Sequence, residues 1–365
     1  MFKKLTTAIA FVCSVQAADI NTEFDAYLTG SKTVTYEIFE KMWTQFENEF
    51  TSQNLMKVPD AHRKNHFQET IESIIKFNSN LASPYKKGIN KFSDLSDQEF
   101  KDFYMIKENS LGEPQHCSAT GERMSVAKGV MMDRQPEWDW RQHDGVSPVK
   151  NQGHCGSCWT FSTVGTLEAH ELIKYGEFTS LAEQQLVDCA GDFDNHGCNG
   201  GLPSHAFEYI MHAGGISTED AYPYFAADHN CTVKADTFAL TVPHGSVNIT
   251  EGDEEELADA LFAHGPVSIA FQVVDGFRDY ASGVYVSDVC KNSTADVNHA
   301  VVAVGYGTCP KTGLDYWIVK NSWGADWGDQ GFFKIERGVN MCGVAVCNSF
   351  PAVVERVNHV ETFLQ

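Results

Sequence analysis

The sequence predicts an α+β fold of two lobes, a helical one followed by a sheet-rich one. Residues up to about Asp220 show helical patterning around motif-rich loops. Beyond them strand-like runs dominate: Pro266–Phe271, Ala300–Val304 and Tyr316–Val319, rich in β-branched and aromatic residues. Helices first and strands second suggest an α+β arrangement. The length of 365 residues suits two or three domains, and 42% hydrophobic with 12% aromatic residues suits a packed core.

The elements follow in order. Met1-Phe2-Lys3-Lys4, a short apolar run to Val15 and Gln16-Ala17 form a secretory signal, residues 1–17, cleaved near Ala17. The competing reading is a buried N-terminal helix. The run is too short to span a bilayer, no later stretch is apolar enough, and no membrane span is expected. Secretion makes disulfides plausible, and Asn230, Asn248 and Asn292 head candidate glycosylation sequons. Phe39, Met42, Trp43 and Phe46 make one helical face. A further helix is expected to start after Pro59.

Gln152–Ser162 is the most informative stretch. Cys158 begins an apolar-periodic segment, with Phe161, Val164, Leu167 and Leu172 at helical spacing, so a helix is expected from Ser157 or Cys158. A thiol at a helix N-terminus sits in the positive end of the macrodipole, which favours the nucleophilic thiolate. Cys155 and Cys158 also make a C-x-x-C, open to reading as a redox pair or as half of a zinc site. The net charge of −22 argues against a nucleic-acid partner. It suits an acidic compartment, or simply solubility.

Cys155-Gly156-Ser157-Cys158-Trp159 resembles the local signature of the papain-like cysteine proteases, and Asn298-His299-Ala300-Val301 and Asn321-Ser322-Trp323-Gly324 resemble that family's two downstream motifs. His299 falls inside the expected window of roughly 130–150 residues after the cysteine, and Asn321 slightly beyond it. The resemblance implies a papain-like two-lobed fold, with a helical left lobe and a β-barrel-like right lobe, preceded by a helical inhibitory prosegment. It implies Cys158 as nucleophile, His299 as its proton partner, Asn321 as the acceptor that orients the imidazole and Gln152 as oxyanion donor. Trp323 would shield the His299–Asn321 bond, and Gly200 and Gly201 would hydrogen-bond an extended substrate through their backbone. No cofactor or metal is implied. Implied partners are peptide and protein substrates, the chain's own prosegment as inhibitor, and cystatin-like inhibitors.

The same resemblance places the prosegment at 18–133 and the protease domain at 134–365, with activation near Arg134. Arg63, Phe67, Ile74 and Asn78 match the prosegment helix, whereas Pro59 stands where the family has glutamate and Thr70 where it has asparagine. Gly88–Asp94 matches the second prosegment motif. Disulfides are implied between Cys155 and Cys198, Cys189 and Cys231, and Cys290 and Cys342. That would take Cys155 away from redox or zinc chemistry. Glu113–Thr120 resembles the mini-chain octapeptide of the cathepsin H subfamily, with His116 where that subfamily usually has asparagine. By that resemblance Cys117 pairs with Cys347, and the Thr120 carboxylate blocks the cleft and pairs with a substrate's free ammonium. The expected activity is therefore that of a lysosomal or secreted zymogen maturing mainly to an aminopeptidase. The alternatives are an endopeptidase that keeps no mini-chain and a noncatalytic peptide-binding homologue. Cys309, in Gly307–Lys311, is left without a partner.

Overall fold

The computed structural model describes residues 19–50, 60–106 and 134–357. The expected signal at 1–17, Pro59 and the 113–120 octapeptide with Cys117 and Thr120 lie outside the described residues.

The prosegment helices form where the apolar spacing demands. Helix Tyr36–Phe50 buries Met42, Trp43 and Phe46, and helix Asp60–Asn78 begins one residue after Pro59. Trp43 and Phe46 meet Phe67 with ring centroids 5.3 Å and 4.7 Å apart. Asn78 ends the helix as a connector: its Nδ2 donates to the carbonyl of Lys87 (2.8 Å) and its Oδ1 accepts from the amide of Lys87 (3.0 Å). That clamp presents strand Tyr85–Lys87, which pairs antiparallel with Tyr280–Tyr285 of the sheet lobe. The chain then folds back through Asn90, whose Nδ2 donates to the Arg278 carbonyl (2.8 Å). It enters helix Asp97–Tyr104, started by a capping box between Ser96 and Glu99. Arg63 binds Glu99 bidentately, at 3.1 Å and 2.9 Å, and also donates to the Asp94 carbonyl (3.0 Å).

The expected α+β order is observed. Helices Cys158–Tyr175, Glu183–Cys189 and Pro203–Ala213 build one lobe. Strand Val267–Phe271, strand His299–Thr308 and strand Asp315–Lys320 form the centre of the other, each antiparallel to its neighbour. The sheet departs from the barrel-like expectation. Its path runs from 85–87 through 280–285, 332–336, 315–320, 299–308, 267–271 and 349–351 to 246–248 and stays open. Both edge strands are three residues long, and no ladder joins them among the described residues.

Helix Cys158–Tyr175 is the seam between the lobes. The sequence marks a single apolar stripe, yet every residue from Cys158 to Glu171 is buried. Its polar side is covered because it is hydrogen-bonded: Ser162 Oγ donates to the Val301 carbonyl (2.7 Å) across the seam.

Candidate active site

Four side chains named from the sequence converge on the cleft between the lobes. Cys158 is the first residue of its helix. Its Sγ is fully buried and accepts the Ala300 amide at 3.4 Å, which places it beside His299 at the start of the long central strand. Asn321 follows the neighbouring strand, and its Oδ1 lies 2.8 Å from His299 Nε2. The same Oδ1 accepts the Ser322 amide at 2.8 Å. Oδ1 is therefore the acceptor, Nε2–H the donor, and the proton-accepting nitrogen is Nδ1. His299 Nδ1 is buried without a hydrogen-bond partner, available for proton transfer. Trp323 lies against the imidazole, centroids 4.8 Å apart and tilted by 28°, and is fully buried.

Gln152 is buried, and its Oε1 accepts from Ser322 Oγ at 2.7 Å. That bond aims the Nε2 hydrogens at two carbonyls, Cys155 at 2.9 Å and Tyr104 at 3.1 Å. The Tyr104 carbonyl ends helix Asp97–Tyr104, within the segment expected to be the prosegment, so that segment holds a carbonyl oxygen against the donor expected to receive the oxyanion. Beyond it, the Ile106 amide donates to the Asn298 carbonyl at 3.3 Å. The Ile106 side chain lies over Gly200, where a Cβ would come within 2.6 Å of it. Gly201 backs directly onto the Trp159 indole, at 2.7 Å from the position a Cβ would take. The cleft is thus filled by residues 103–106.

This filling sets the electrostatics. Burial pushes the Cys158 thiol up to about 12, against lowering by the Ala300 amide and the helix's own amides. Burial pushes His299 down to about 4, against the Asn321 hydrogen bond. Both groups are neutral beneath the prosegment.

Sequence reasoning missed the support around these residues. Ser322 stands inside a quoted motif, but its grip on Gln152 has no signal in spacing. Behind Asn321, Lys150 Nζ bonds Glu168 (2.7 Å) and Glu183 (2.8 Å), while Lys320 Nζ reaches Ser147 Oγ (2.9 Å), itself bonded to Glu168 (2.6 Å). These charges tie both lobes to the strand that carries Asn321. They are distant in sequence and individually read as surface residues.

Cys155 is bonded to Cys198, Cys189 to Cys231 and Cys290 to Cys342, with Cα–Cα separations of 4.7, 4.9 and 5.1 Å. Cys347 is also disulfide-bonded. Cys158 and Cys309 are free thiols. Asn230 and Asn292 are exposed; Asn248 is half-buried in strand Ser246–Asn248, its Oδ1 covered. Among the described residues no group of three or more His, Cys, Asp or Glu side chains could hold a metal, and no helix is long and apolar enough to cross a membrane.

Comparison with known proteins matches the same segments. The papain family cysteine protease model covers residues 135–352, and the cathepsin propeptide inhibitor domain (I29) covers residues 43–100. Thiol protease aleurain of Arabidopsis thaliana is 52% identical over 288 residues, 79% of this chain and 77% of the relative. Pro-cathepsin H of Bos taurus is 46% identical over 314 residues, 86% of this chain and 89% of the relative. The structure of digestive procathepsin L2 proteinase from Tenebrio molitor larval midgut has a TM-score of 0.79 at 36% identity, covering 86% of this chain and 100% of that one.

Proposed function

This chain belongs to the papain family of cysteine proteases and carries the family's inhibitory propeptide; from that premise we propose that its zymogen matures into an aminopeptidase acting through Cys158, His299 and Asn321. The reading rests on one observation: the Tyr104 carbonyl accepts a hydrogen bond at 3.1 Å from Nε2 of Gln152, the residue expected to receive the oxyanion, in a chain whose His299 is held by Asn321. A peptide carbonyl thus occupies the group expected to donate to the oxyanion.

The chemistry follows from those positions. When the prosegment leaves, water reaches the cleft, the desolvation that keeps both groups neutral is relieved, and the proton of Cys158 passes to His299 Nδ1. The thiolate attacks the scissile carbonyl carbon, and the developing oxyanion takes hydrogen bonds from Gln152 Nε2 and the Cys158 amide. His299 then gives its proton to the departing amine as the C–N bond breaks. Water, deprotonated by the same Nδ1, cleaves the thioester and restores the thiol. Asn321 holds the ring so that one nitrogen serves all these transfers.

The aminopeptidase part rests on the octapeptide. Cys347 is disulfide-bonded, and the described part of the prosegment ends at Ile106 over Gly200, upstream of Cys117 in sequence. A Cys117–Cys347 bond would keep residues 113–120 near the cleft after activation, and the Thr120 carboxylate would meet the ammonium of a substrate's first residue. The secretory signal, lysosomal or secreted destination, glycans and cystatin-like inhibitors belong to the same reading. The test is labelling of the mature enzyme by a thiol-reactive epoxide, with N-terminal sequencing and non-reducing mass mapping. The reading requires label on Cys158 and a 113–120 peptide joined to Cys347. An unlabelled, inactive mature form would favour a noncatalytic homologue, and a labelled enzyme without the peptide an endopeptidase.

A further inference from the structure

The two oxyanion donors proposed above come from different pieces of chain: Gln152 Nε2 from a loop, the Cys158 amide from the start of a helix. Donors that must converge on one atom need a fixed spacing. A residue from elsewhere ties the two pieces together. The hydroxyl of Tyr224, 72 residues beyond Gln152, donates to the Gln152 backbone carbonyl at 2.7 Å. The same oxygen lies 2.6 Å from Ser157 Oγ. A phenol has one proton and a carbonyl only accepts, so Ser157 Oγ is the donor in the second bond. Burial holds the Tyr224 phenol above its ordinary range, so the hydroxyl keeps its proton. Gln152 and Ser157 are fully buried, where a hydrogen bond is stronger than in water.

Ser157 is the N-cap of helix Cys158–Tyr175. A serine there ordinarily turns its oxygen onto an amide of the first turn, yet Ser157 makes no such bond; its hydroxyl is directed to Tyr224 instead. Tyr224 is itself held at two further points. Its ring meets Phe161 of the same helix edge to face, centroids 4.9 Å apart at 86°, and its amide donates to Glu219 Oε1 at 2.9 Å. The hydroxyl is thus presented by a side chain already fixed by its ring and its backbone.

We infer that Tyr224 is a positioning residue for the oxyanion: through one hydroxyl it locks the Gln152 segment to the start of the Cys158 helix, so that Gln152 Nε2 and the Cys158 amide keep the spacing the developing charge requires. The inference rests on the oxyanion reading above but not on its aminopeptidase part.

The experiment uses the mature enzyme with one peptide substrate, and Tyr224→Phe, which keeps the ring on Phe161 and removes the tie. kcat is expected to fall about 5- to 30-fold, less than the roughly 10²–10³ that follows loss of an oxyanion donor itself, with KM within about twofold. In a Gln152→Ala background, where one donor is already gone, the same change should alter kcat by no more than about twofold. The Tyr224 hydroxyl also interacts electrostatically with Cys158, so alkylation by iodoacetamide, which forms no oxyanion, is measured alongside and should stay within about twofold of wild type. Ser157→Ala cuts the tie from its other end and should lower kcat in the same way, which keeps the test intact if Tyr224→Phe does not fold. Wild-type kcat in either single variant, an undiminished effect in the Gln152→Ala background, or an equal loss of alkylation rate would overturn the inference. Wild-type kcat in Gln152→Ala alone would overturn the oxyanion reading and this inference with it.

Discussion

Latency should fail first when Arg63 is removed, although Arg63 touches nothing in the cleft. Its guanidinium makes two bonds to Glu99 and one to the Asp94 carbonyl, and Glu99 caps the helix that ends at Tyr104. Breaking a buried ion pair costs about 3–5 kcal/mol. The side chain of Glu99 is 27% exposed and can partly rehydrate, so the lower end, about 3 kcal/mol, is expected for Arg63→Ala. If that loss falls on docking of helix Asp97–Tyr104, the open fraction rises on the order of a hundredfold. Arg63→Lys keeps a charge but not the fork, and should fall between. The assay is protease sensitivity of the prosegment in a Cys158→Ser background, which cannot process itself, together with the rate of processing in the active background. The pH dependence has a defined sign. Burial raises Glu99, but the Ser96 amide and Arg63 outweigh it and hold the carboxyl below its ordinary 4.5. The contribution is thus fully present above about 4.5 and lost as pH falls through the lowered value. Equal protease sensitivity of Arg63→Ala and wild type at about pH 7 would refute the reasoning.

Cys158→Ser should abolish hydrolysis while keeping the melting temperature, because a hydroxyl keeps the shape but not the ionisation; Asn321→Ala should lower kcat by less, and steady-state kinetics on both variants decides it. Burial raises Asp279 from 3.8 to about 6, with Arg278 and Lys87 pulling it down. The folded chain therefore binds that proton more tightly than the unfolded one, so its contribution favours folding most below about 4 and is lost as pH rises through about 6. Asp279→Asn should flatten the fall in zymogen melting temperature over that window; an unaltered slope would count against it. In the zymogen, a small alkylating reagent should modify Cys309, whose pKa is lowered chiefly by a hydrogen bond from Thr312, and spare the buried Cys158, with both reacting after activation by mass spectrometry. Cys117→Ser or Cys347→Ser should raise cleavage of N-terminally blocked peptides relative to free-amine ones; an unchanged ratio, with the octapeptide shown to be lost, would sink the obstruction mechanism.

What could be read from the sequence was whatever a local rule enforces. The runs at 300–304 and 316–319 are strands because β-branched and aromatic residues fill both faces of a covered sheet. Pro59 marked the next helix start because proline belongs at such a boundary. Strand Tyr280–Tyr285 was missed: Ala281, Ser282 and Gly283 are poor strand formers, and it holds through partners on either side. The open edge of the sheet was equally invisible, since closure depends on which short strands find each other. At the site, Cys158, His299 and Asn321 lay in motifs, whereas Ser322, the Lys150–Glu168–Glu183 cluster and the Tyr104 carbonyl act through contacts that only the folded chain creates. Helix Cys158–Tyr175 looked one-sided because Ser162 and Glu168 read as solvent-facing, and their partners come from elsewhere in the chain.

Strand Tyr85–Lys87 leaves the molecule when the prosegment does. The mature sheet is then one strand narrower, and Tyr280–Tyr285 becomes its border. The Val284 amide, now bonded to the Pro84 carbonyl at 3.0 Å, and the groups facing Tyr85 and Lys86 must turn to water or to another chain. Crowding of active molecules therefore carries a hazard that the latent form lacks, strand-to-strand association along a newly bared margin. Gly283, at φ 92°, interrupts the extended backbone at the centre of that margin and leaves an incoming strand no continuous template.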